Sequence, residues 1–378
     1  MVDYAKRALD EHKRLKGKIS LQIKDNLDSQ DKLSIYYTPG VAAVSSYVAE
    51  HPDETRDFTW TNNVVAVISD GSAVLGLGNI GPEGALPVME GKAMLFKHFA
   101  GIDAVPLVLN VHTPDEIVAT VQALAPSFGG INLEDIAAPQ CFEIEQRLKA
   151  TLSIPVMHDD QHGTAIVVLA GLINACKLTN RDMSKLKIVL VGSGAAGTAI
   201  ANLLNKYAAP EIICVDSKGI LSRGRSSINS EKAKLLEFTN PNNVSGSLQD
   251  AVNGADVFIG VSQPGLLTVE MVRTMQQQAI IFALANPTPE IMPDIARAAG
   301  AAVVATGRSD FPNQINNVLA FPGIFRGALD NRVQSITDDH KIKAAEVIAA
   351  LVDKVTADKI MPAVGDARLV PAIAKVIT

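Results

Sequence analysis

The segment 188–216 constrains this chain more than any other. Ile188-Val189-Leu190-Val191 is a wholly apolar, mostly β-branched run that predicts a buried strand. It leads directly into Gly192-Ser193-Gly194-Ala195-Ala196-Gly197, a GxGxxG, followed by a predicted helix over Thr198–Lys206 and a second strand ending at Asp216. The glycines permit a tight turn and close approach of backbone to a pyrophosphate, and the helix N-terminus offers free N–H groups to the anion. Asp216 lies about 20 residues beyond the motif, where a carboxylate can bind an adenosine ribose. The segment reads as a dinucleotide-binding βαβ unit. Asp216 suits the free 2′-hydroxyl of NAD. Lys218 and the nearby Arg223 and Arg225 are cations that suit the 2′-phosphate of NADP, so both coenzymes stay open, with NAD ahead.

A second GxGxxG, Gly76-Leu77-Gly78-Asn79-Ile80-Gly81, shows why context matters. It also follows an apolar strand, Val64–Ser69, but runs into Pro82, Glu83 and Gly84. Those residues predict no apolar-faced helix at once, and helical character returns only over Gly91–Phe99. The motif is expected to be a tight connection or a loop lining a substrate cleft.

A chain of 378 residues is long for one core and predicts two domains. In the second half, apolar runs at Lys187–Val191, Glu211–Val215, Val257–Gly260, Ile280–Ala285 and Ala302–Thr306 alternate with helical stretches. That pattern predicts an α/β protein whose second domain is a Rossmann-type doubly wound parallel sheet. The boundary is placed near 160, with a catalytic, substrate-binding domain over 1–160 and the NAD(P)-binding domain and C-terminal helices over 161–378. In the first half, helices are expected near 3–17, 41–50 and 142–150, and strands at Ala104–Val111 and Ile154–Met157. A turn is expected at Gly129-Gly130-Ile131-Asn132, and a long apolar helix over Gly163–Lys177.

The net charge of −6, without any run of Lys and Arg, argues against a nucleic-acid partner. The opening MVDYAKRALDEHKRLKGK is charged and lacks an apolar centre, unlike a signal peptide. The longest apolar stretch, Ala165–Cys176, is too short to span a bilayer. Cys141, Cys176 and Cys214 are isolated and read as reduced, buried residues. No membrane association and a cytoplasmic location are expected.

Two acidic pairs, Glu134-Asp135 and Asp159-Asp160, stand at turns beside apolar elements. A lone Asp160 just before a helix reads as an N-cap. Four carboxylates at two loop ends instead suggest hard oxygen ligands for Mg²⁺ or Mn²⁺. His158 and His162 flank these acids and read as supporting groups.

With these features in place, a resemblance becomes specific. It rests on Tyr37-Thr38-Pro39-Gly40-Val41, Ser69-Asp70-Gly71, Leu75-Gly76-Leu77-Gly78, Glu90-Gly91-Lys92, Asn132-Leu133-Glu134-Asp135 and Asp159-Asp160-Gln161-His162-Gly163-Thr164-Ala165. Ala285-Asn286-Pro287-Thr288 and Asn316-Asn317-Val318-Leu319-Ala320-Phe321-Pro322-Gly323 continue the series in order. Together they resemble the malic enzymes, of the small bacterial and archaeal branch. The resemblance implies oxidative decarboxylation of L-malate to pyruvate with NAD(P)⁺ and Mg²⁺ or Mn²⁺, in a homodimer or higher homo-oligomer. It implies Glu134, Asp135 and Asp160 as metal ligands, Lys92 as general base and Tyr37 as general acid. Asn286 and Asn317 would hold the substrate, and Asp159 would support the ligand cluster. Larger relatives carry an Arg shortly after the first Asp-Gly, whereas this chain has Asp70-Gly71-Ser72-Ala73, so its substrate anchoring differs there.

Such chemistry makes a demand on Lys92. A lysine acts as a base only when its pKa falls, which burial favours and neighbouring carboxylates oppose. Three other readings stand beside this one: a non-decarboxylating dehydrogenase, a malolactic-type enzyme, and a nucleotide sensor without chemistry.

Overall fold

The structure, a computed structural model, describes residues 4–74, 76–226 and 228–378. Leu75 of the glycine motif and Asp3 of the expected first helix lie outside the described residues. Two parallel sheets organise the chain. The first comprises β1 (Val64–Ser69), β2 (Asp103–Val108), β3 (Gly130–Leu133) and β4 (Val156–His158), in the order β2-β1-β3-β4. The second comprises β5 (Lys187–Val191), β6 (Glu211–Asp216), β7 (Gly219–Ile220), β8 (Val257–Gly260), β9 (Ile280–Ala283) and β10 (Val303–Thr306). Its order is β10-β9-β8-β5-β6-β7, parallel except for β7, which pairs antiparallel with β6.

Each sheet contains one place where the winding reverses. In the second, the chain goes from β5 to β6 on one side and returns to β8 on the other. In the first, it goes from β1 to β2 and returns to β3. Ligand crevices in such sheets open beyond the strand C-termini at these points. Here those ends carry Gly192 in one sheet, and Asp70 and Glu134 in the other.

Several expected elements are longer than the sequence suggested. The second GxGxxG does lead into a helix, Gly81–Ala100, with Pro82 in its first turn and Pro87 inside it. A proline in the first turn loses no hydrogen bond. Buried Ala85, Met89, Lys92, Ala93, Phe96 and Ala100 give the helix a packed face that outweighs Gly84 and Pro87. Of the turn expected at Gly129-Gly130-Ile131-Asn132, all but Gly129 is instead β3, which is buried along its whole length. The long apolar helix starts at Asp159 and runs to Thr179, so Asp160 is in its first turn and is not its N-cap. At 21 residues and mean hydropathy 1.3, this helix is long and apolar enough to cross a membrane, but two-thirds of it is buried inside the protein. It packs between the two sheets as a core helix.

One apolar core joins the sheets, running from Val65 and Val67 through Ile166–Leu172 to Ile188 and Val257. The C-terminal part of the chain turns back onto the first sheet. Helix Phe321–Asp330 lies against helix Gly81–Ala100, with Phe96 edge-on to Phe321 at 4.7 Å and to Phe325 at 5.3 Å. Helix Asp338–Ala350 packs on Asp159–Thr179. The three cysteines are free and buried. Helices Tyr4–Leu15, Gln30–Tyr36 and Val41–Glu50, by contrast, bury none of their residues.

Candidate active site

Lys92 reaches from helix Gly81–Ala100 into the space beyond β1, β3 and β4. Its side chain is only 7% exposed. Nζ lies 2.7 Å from Asp159 Oδ2 and 2.8 Å from Glu134 Oε1, and it sits 4.3 Å above the Phe321 ring. Burial works to discharge the ammonium, but Asp159 and Glu134 outweigh it and hold Lys92 above its ordinary value.

Asp159 is fully buried. Its Oδ2 accepts from Asn317 Nδ2 at 2.5 Å as well as from Lys92. Asn317 follows the second sheet, Lys92 follows β1, and Asp159 opens the helix between the sheets, so one carboxylate ties three parts of the chain together. Gly163, one turn on, makes room for this: a Cβ there would sit 1.9 Å from Asp159 Oδ1 and 3.0 Å from Asn317 Cβ.

The other acids gather alongside. Asn132 donates to Glu134 Oε2 at 2.9 Å. Asp135 has a left-handed backbone, φ +54°, a conformation aspartate tolerates better than most residues. Its N–H donates to Asp160 Oδ2 at 2.8 Å. Burial and neighbouring negative charge push the carboxyls of Glu134 and Asp160 above the usual carboxylate range. No three acidic, histidine or cysteine side chains among the described residues converge on one point as placed. Donor type and charge nonetheless fit a hard divalent cation: Glu134 and Asp135 are buried, Asp160 stands partly exposed beside them, and a cation would relieve their mutual repulsion. Glu134, Asp135 and Asp160 are the groups that would hold it.

Sequence reasoning missed Glu145. Its Oε1 accepts from the His158 N–H at 3.0 Å and meets Lys149 at 2.7 Å, while Oε2 meets His162 at 2.8 Å. Burial lowers His162 to about 4 and leaves it neutral. Glu145 thereby anchors the peptide that carries Asp159 and Asp160. The signal was one of two acids in helix Gln140–Thr151, and nothing in sequence separates buried Glu145 from exposed Glu143. In the loop after Asp70-Gly71, Ser72 organises the backbone. Its hydroxyl donates to Asp70 Oδ1 at 2.6 Å and accepts from the Ala137 N–H at 2.9 Å.

Across the cleft, Asn286 follows β9. Its carbonyl would lie 3.3 Å from a Cβ at Gly76 and its Nδ2 2.9 Å from one at Gly307. The loop after β1 thus abuts the end of β9, as expected of a cleft-lining segment. The turn after β5 is built for close approach. A Cβ at Gly197 would lie 1.7 Å from the Gly192 carbonyl oxygen, and Gly192 itself has φ +105°. The helix after it starts at Ala195, three residues earlier than the sequence suggested, with Gly194 as N-cap, and includes Ala196 and Gly197. A cavity of about 350 Å³ is bounded by Gly192, Ser193, Gly194, Asp216 and Lys232. This cradle fits a dinucleotide. Asp216 is bound by Arg225 and Lys232, whereas Lys218 contributes its backbone N–H at 2.8 Å. Arg223 points elsewhere, to the Leu236 carbonyl.

Tyr37 is not brought to this cluster. It caps helix Gln30–Tyr36, is 67% exposed, and its hydroxyl makes no hydrogen bond among the described residues.

Two family models match: the malic enzyme N-terminal domain over residues 16–149 and the malic enzyme NAD-binding domain over residues 161–377. The chain is 56% identical over 373 residues to a bifunctional malic/malolactic enzyme of Bacillus subtilis, covering 98% of this chain and 91% of that protein. It is 52% identical to an NAD-dependent malic enzyme of Geobacillus stearothermophilus, covering 96% and 76% respectively. The crystal structure of the NAD-dependent malic enzyme of Thermotoga maritima superposes with a TM-score of 0.96 at 48% identity, covering 100% of this chain and 99% of that one.

Proposed function

The chain belongs to the malic enzyme family, and on that premise we propose that it converts L-malate to pyruvate and CO₂ while reducing NAD(P)⁺, with a divalent cation, Mg²⁺ or Mn²⁺, held by Glu134, Asp135 and Asp160. The observation that carries this reading is the buried Lys92 ammonium, gripped by Asp159 and Glu134, with Asn317 bonded to the same Asp159 carboxylate. When bound, the coenzyme would supply the hydride acceptor and the cation, held by Glu134, Asp135 and Asp160, would supply Lewis-acid stabilisation of developing negative charge.

Lys92 Nζ is the group that takes the C2 hydroxyl proton. It gives up its own proton only when part of the surrounding negative charge is neutralised, because burial then prevails over the one remaining partner. Asp159 aims Nζ and returns it to place after each proton movement. Asn317, fixed to Asp159, and Asn286, at the end of β9, hold the substrate's polar groups and exclude water. Tyr37, which lies apart from this cluster in its own subunit, acts as the acid that protonates C3 when assembly carries it to the cleft of a second subunit. Its exposed ring, and the exposed Leu21, Ile23, Leu27, Ile35 and Val44 around it in sequence, support assembly into a homodimer or larger homo-oligomer that covers this arm. We place the enzyme in the cytoplasm, with neither a nucleic-acid nor a membrane partner.

The test is absorbance at 340 nm with malate, Mn²⁺ and each coenzyme in turn. A chelator should abolish the signal and Mn²⁺ restore it; no signal with either coenzyme sinks the reading. The name of the Bacillus subtilis relative supports a second reaction, malate to lactate with retained coenzyme. Assay of lactate against pyruvate decides between them.

A further inference from the structure

Glu290 is fully buried, and among the described residues its side chain is held by backbone groups alone. Oε1 accepts from the Ser262 N–H at 3.1 Å and Oε2 from the Ala285 N–H at 3.0 Å. Burial pushes the carboxyl up, and the N–H groups of Ala285, Ser262 and Glu290 itself oppose the rise. The two side-chain bonds reach two different loops. Ser262 stands just beyond β8 and borders the coenzyme cavity. Its loop presses on the glycine turn: a Cβ at Gly192 would lie 2.7 Å from the Val261 carbonyl oxygen. Ala285 stands just beyond β9 and immediately precedes Asn286. Gly260, the last residue of β8, makes room for the carboxylate, since a Cβ there would lie 2.4 Å from Glu290 Cδ and Oε1. The Glu290 backbone is fixed in turn, its carbonyl accepting from the Leu267 N–H at 3.1 Å.

We propose that Glu290 is a positioning residue for hydride transfer: its carboxylate clamps the loops after β8 and β9 together and so sets the slot in which the nicotinamide end of the coenzyme faces Asn286 and the substrate. This rests on the NAD(P)-dependent reading above. A dinucleotide on a doubly wound sheet lies across the strand ends, so with its adenosine at β6 its other half falls on the β8 side. There the carboxylate takes over from the sheet. Leu284 donates to the Gly260 carbonyl at 2.9 Å, and one residue further Ala285 donates to Glu290 instead. A carboxylate accepts at both oxygens and so serves both loops. An amide of the same shape turns a donor toward one of the two N–H groups, and that loop is released. A displacement of about 1 Å at the reacting atoms slows a reaction on the order of 100-fold.

The experiment compares the full-length wild type with Glu290→Gln in three ways: turnover of ordinary and C2-deuterated malate, NADH calorimetry and urea unfolding. In the variant, kcat should fall about 10- to 100-fold. The deuterium isotope effect on kcat should rise, because hydride transfer becomes the slow step. NADH should bind about 10-fold more weakly. If Glu290→Gln does not fold, Gly260→Ala, which presses on the same carboxylate, should raise the isotope effect in its place. A lowered urea midpoint with wild-type kcat and isotope effect overturns the clamp and leaves the malate reading standing. A lower kcat without a larger isotope effect overturns it as well, since the defect then lies outside hydride transfer. A wild type that binds NADH but does not oxidise malate overturns the malate reading; the clamp then stands if Glu290→Gln weakens NADH binding and falls if it does not.

Discussion

Gly163→Ala should destabilise the protein, against the usual sign for a glycine inside a helix. Elsewhere in a helix interior the change stabilises by about 1 kcal/mol. Here the new Cβ would stand 1.9 Å from Asp159 Oδ1, 2.9 Å from its Cγ and 3.0 Å from Asn317 Cβ. Ordinary contact requires about 3.5 Å, so the carboxylate must move by roughly 1.5 Å. An exposed aspartate would simply rotate, but Asp159 is fully buried and pinned by Lys92 at 2.7 Å and Asn317 at 2.5 Å. Breaking a buried ion pair costs about 3–5 kcal/mol. Less the helical gain, the net loss is about 2–4 kcal/mol, measurable from urea unfolding midpoints. A double-mutant cycle isolates the cause. In an Asp159→Ala background the two closest contacts are gone and Asn317, released from Asp159, can yield its 3.0 Å contact, so Gly163→Ala becomes neutral or slightly stabilising, with a coupling of about 3–5 kcal/mol. If Gly163→Ala costs the same in both backgrounds, or costs nothing in the wild type, the pinned-carboxylate argument is refuted.

Three further outcomes follow from the same geometry. Lys92→Met should lower malate-dependent NAD(P)H formation by at least about 10³-fold, while calorimetry finds NADH affinity unchanged within a few-fold; retained turnover would remove Lys92 from the chemistry. Asp216 is held at about 2, because its bonds from Arg225 and Lys232 outweigh the effect of burial. A depressed carboxylate stabilises the fold above its ordinary value of 3.8, and that contribution is lost as pH falls from about 4 towards 2. Discounted for solvent screening, Asp216→Asn should reduce the stability lost over that interval by about 1–2 kcal/mol, read from urea midpoints at each pH. Light scattering should give at least twice the 40.0 kDa chain mass, and Leu21→Asp with Ile23→Asp should lower it; a monomeric wild type would leave the exposed arm unexplained.

The cofactor half of the molecule was almost fully legible. Strand, glycines, helix and terminal Asp216 lie within one contiguous stretch, and local pattern suffices when every partner is near in sequence. Lys232 escaped notice because only the helix beyond β7 swings it back to Asp216. The catalytic half was legible as a set of motifs but not as an arrangement. Nothing in Glu90-Gly91-Lys92 announces an ion pair with a residue 67 positions later, and nothing in Gln140–Thr151 marks Glu145 as the anchor of His158. Helix Gly81–Ala100 was cut short on paper because Gly84 and Pro87 are local breakers, while its buried face is a long-range reward. Tyr37 is the reverse case: a motif identifies it, and its own subunit leaves it uncovered.

The return of residues 321–330 onto helix Gly81–Ala100 bears on how the chain is made. Phe96 is fully buried, yet its covering rings, Phe321 and Phe325, belong to the last part of the polypeptide. During synthesis at 5–20 residues per second, the roughly 225 intervening residues take on the order of 10–45 s to appear. For that interval the nascent first domain has an open apolar seam, which is where a ribosome-associated chaperone would bind. Its completion waits for the other domain to emerge.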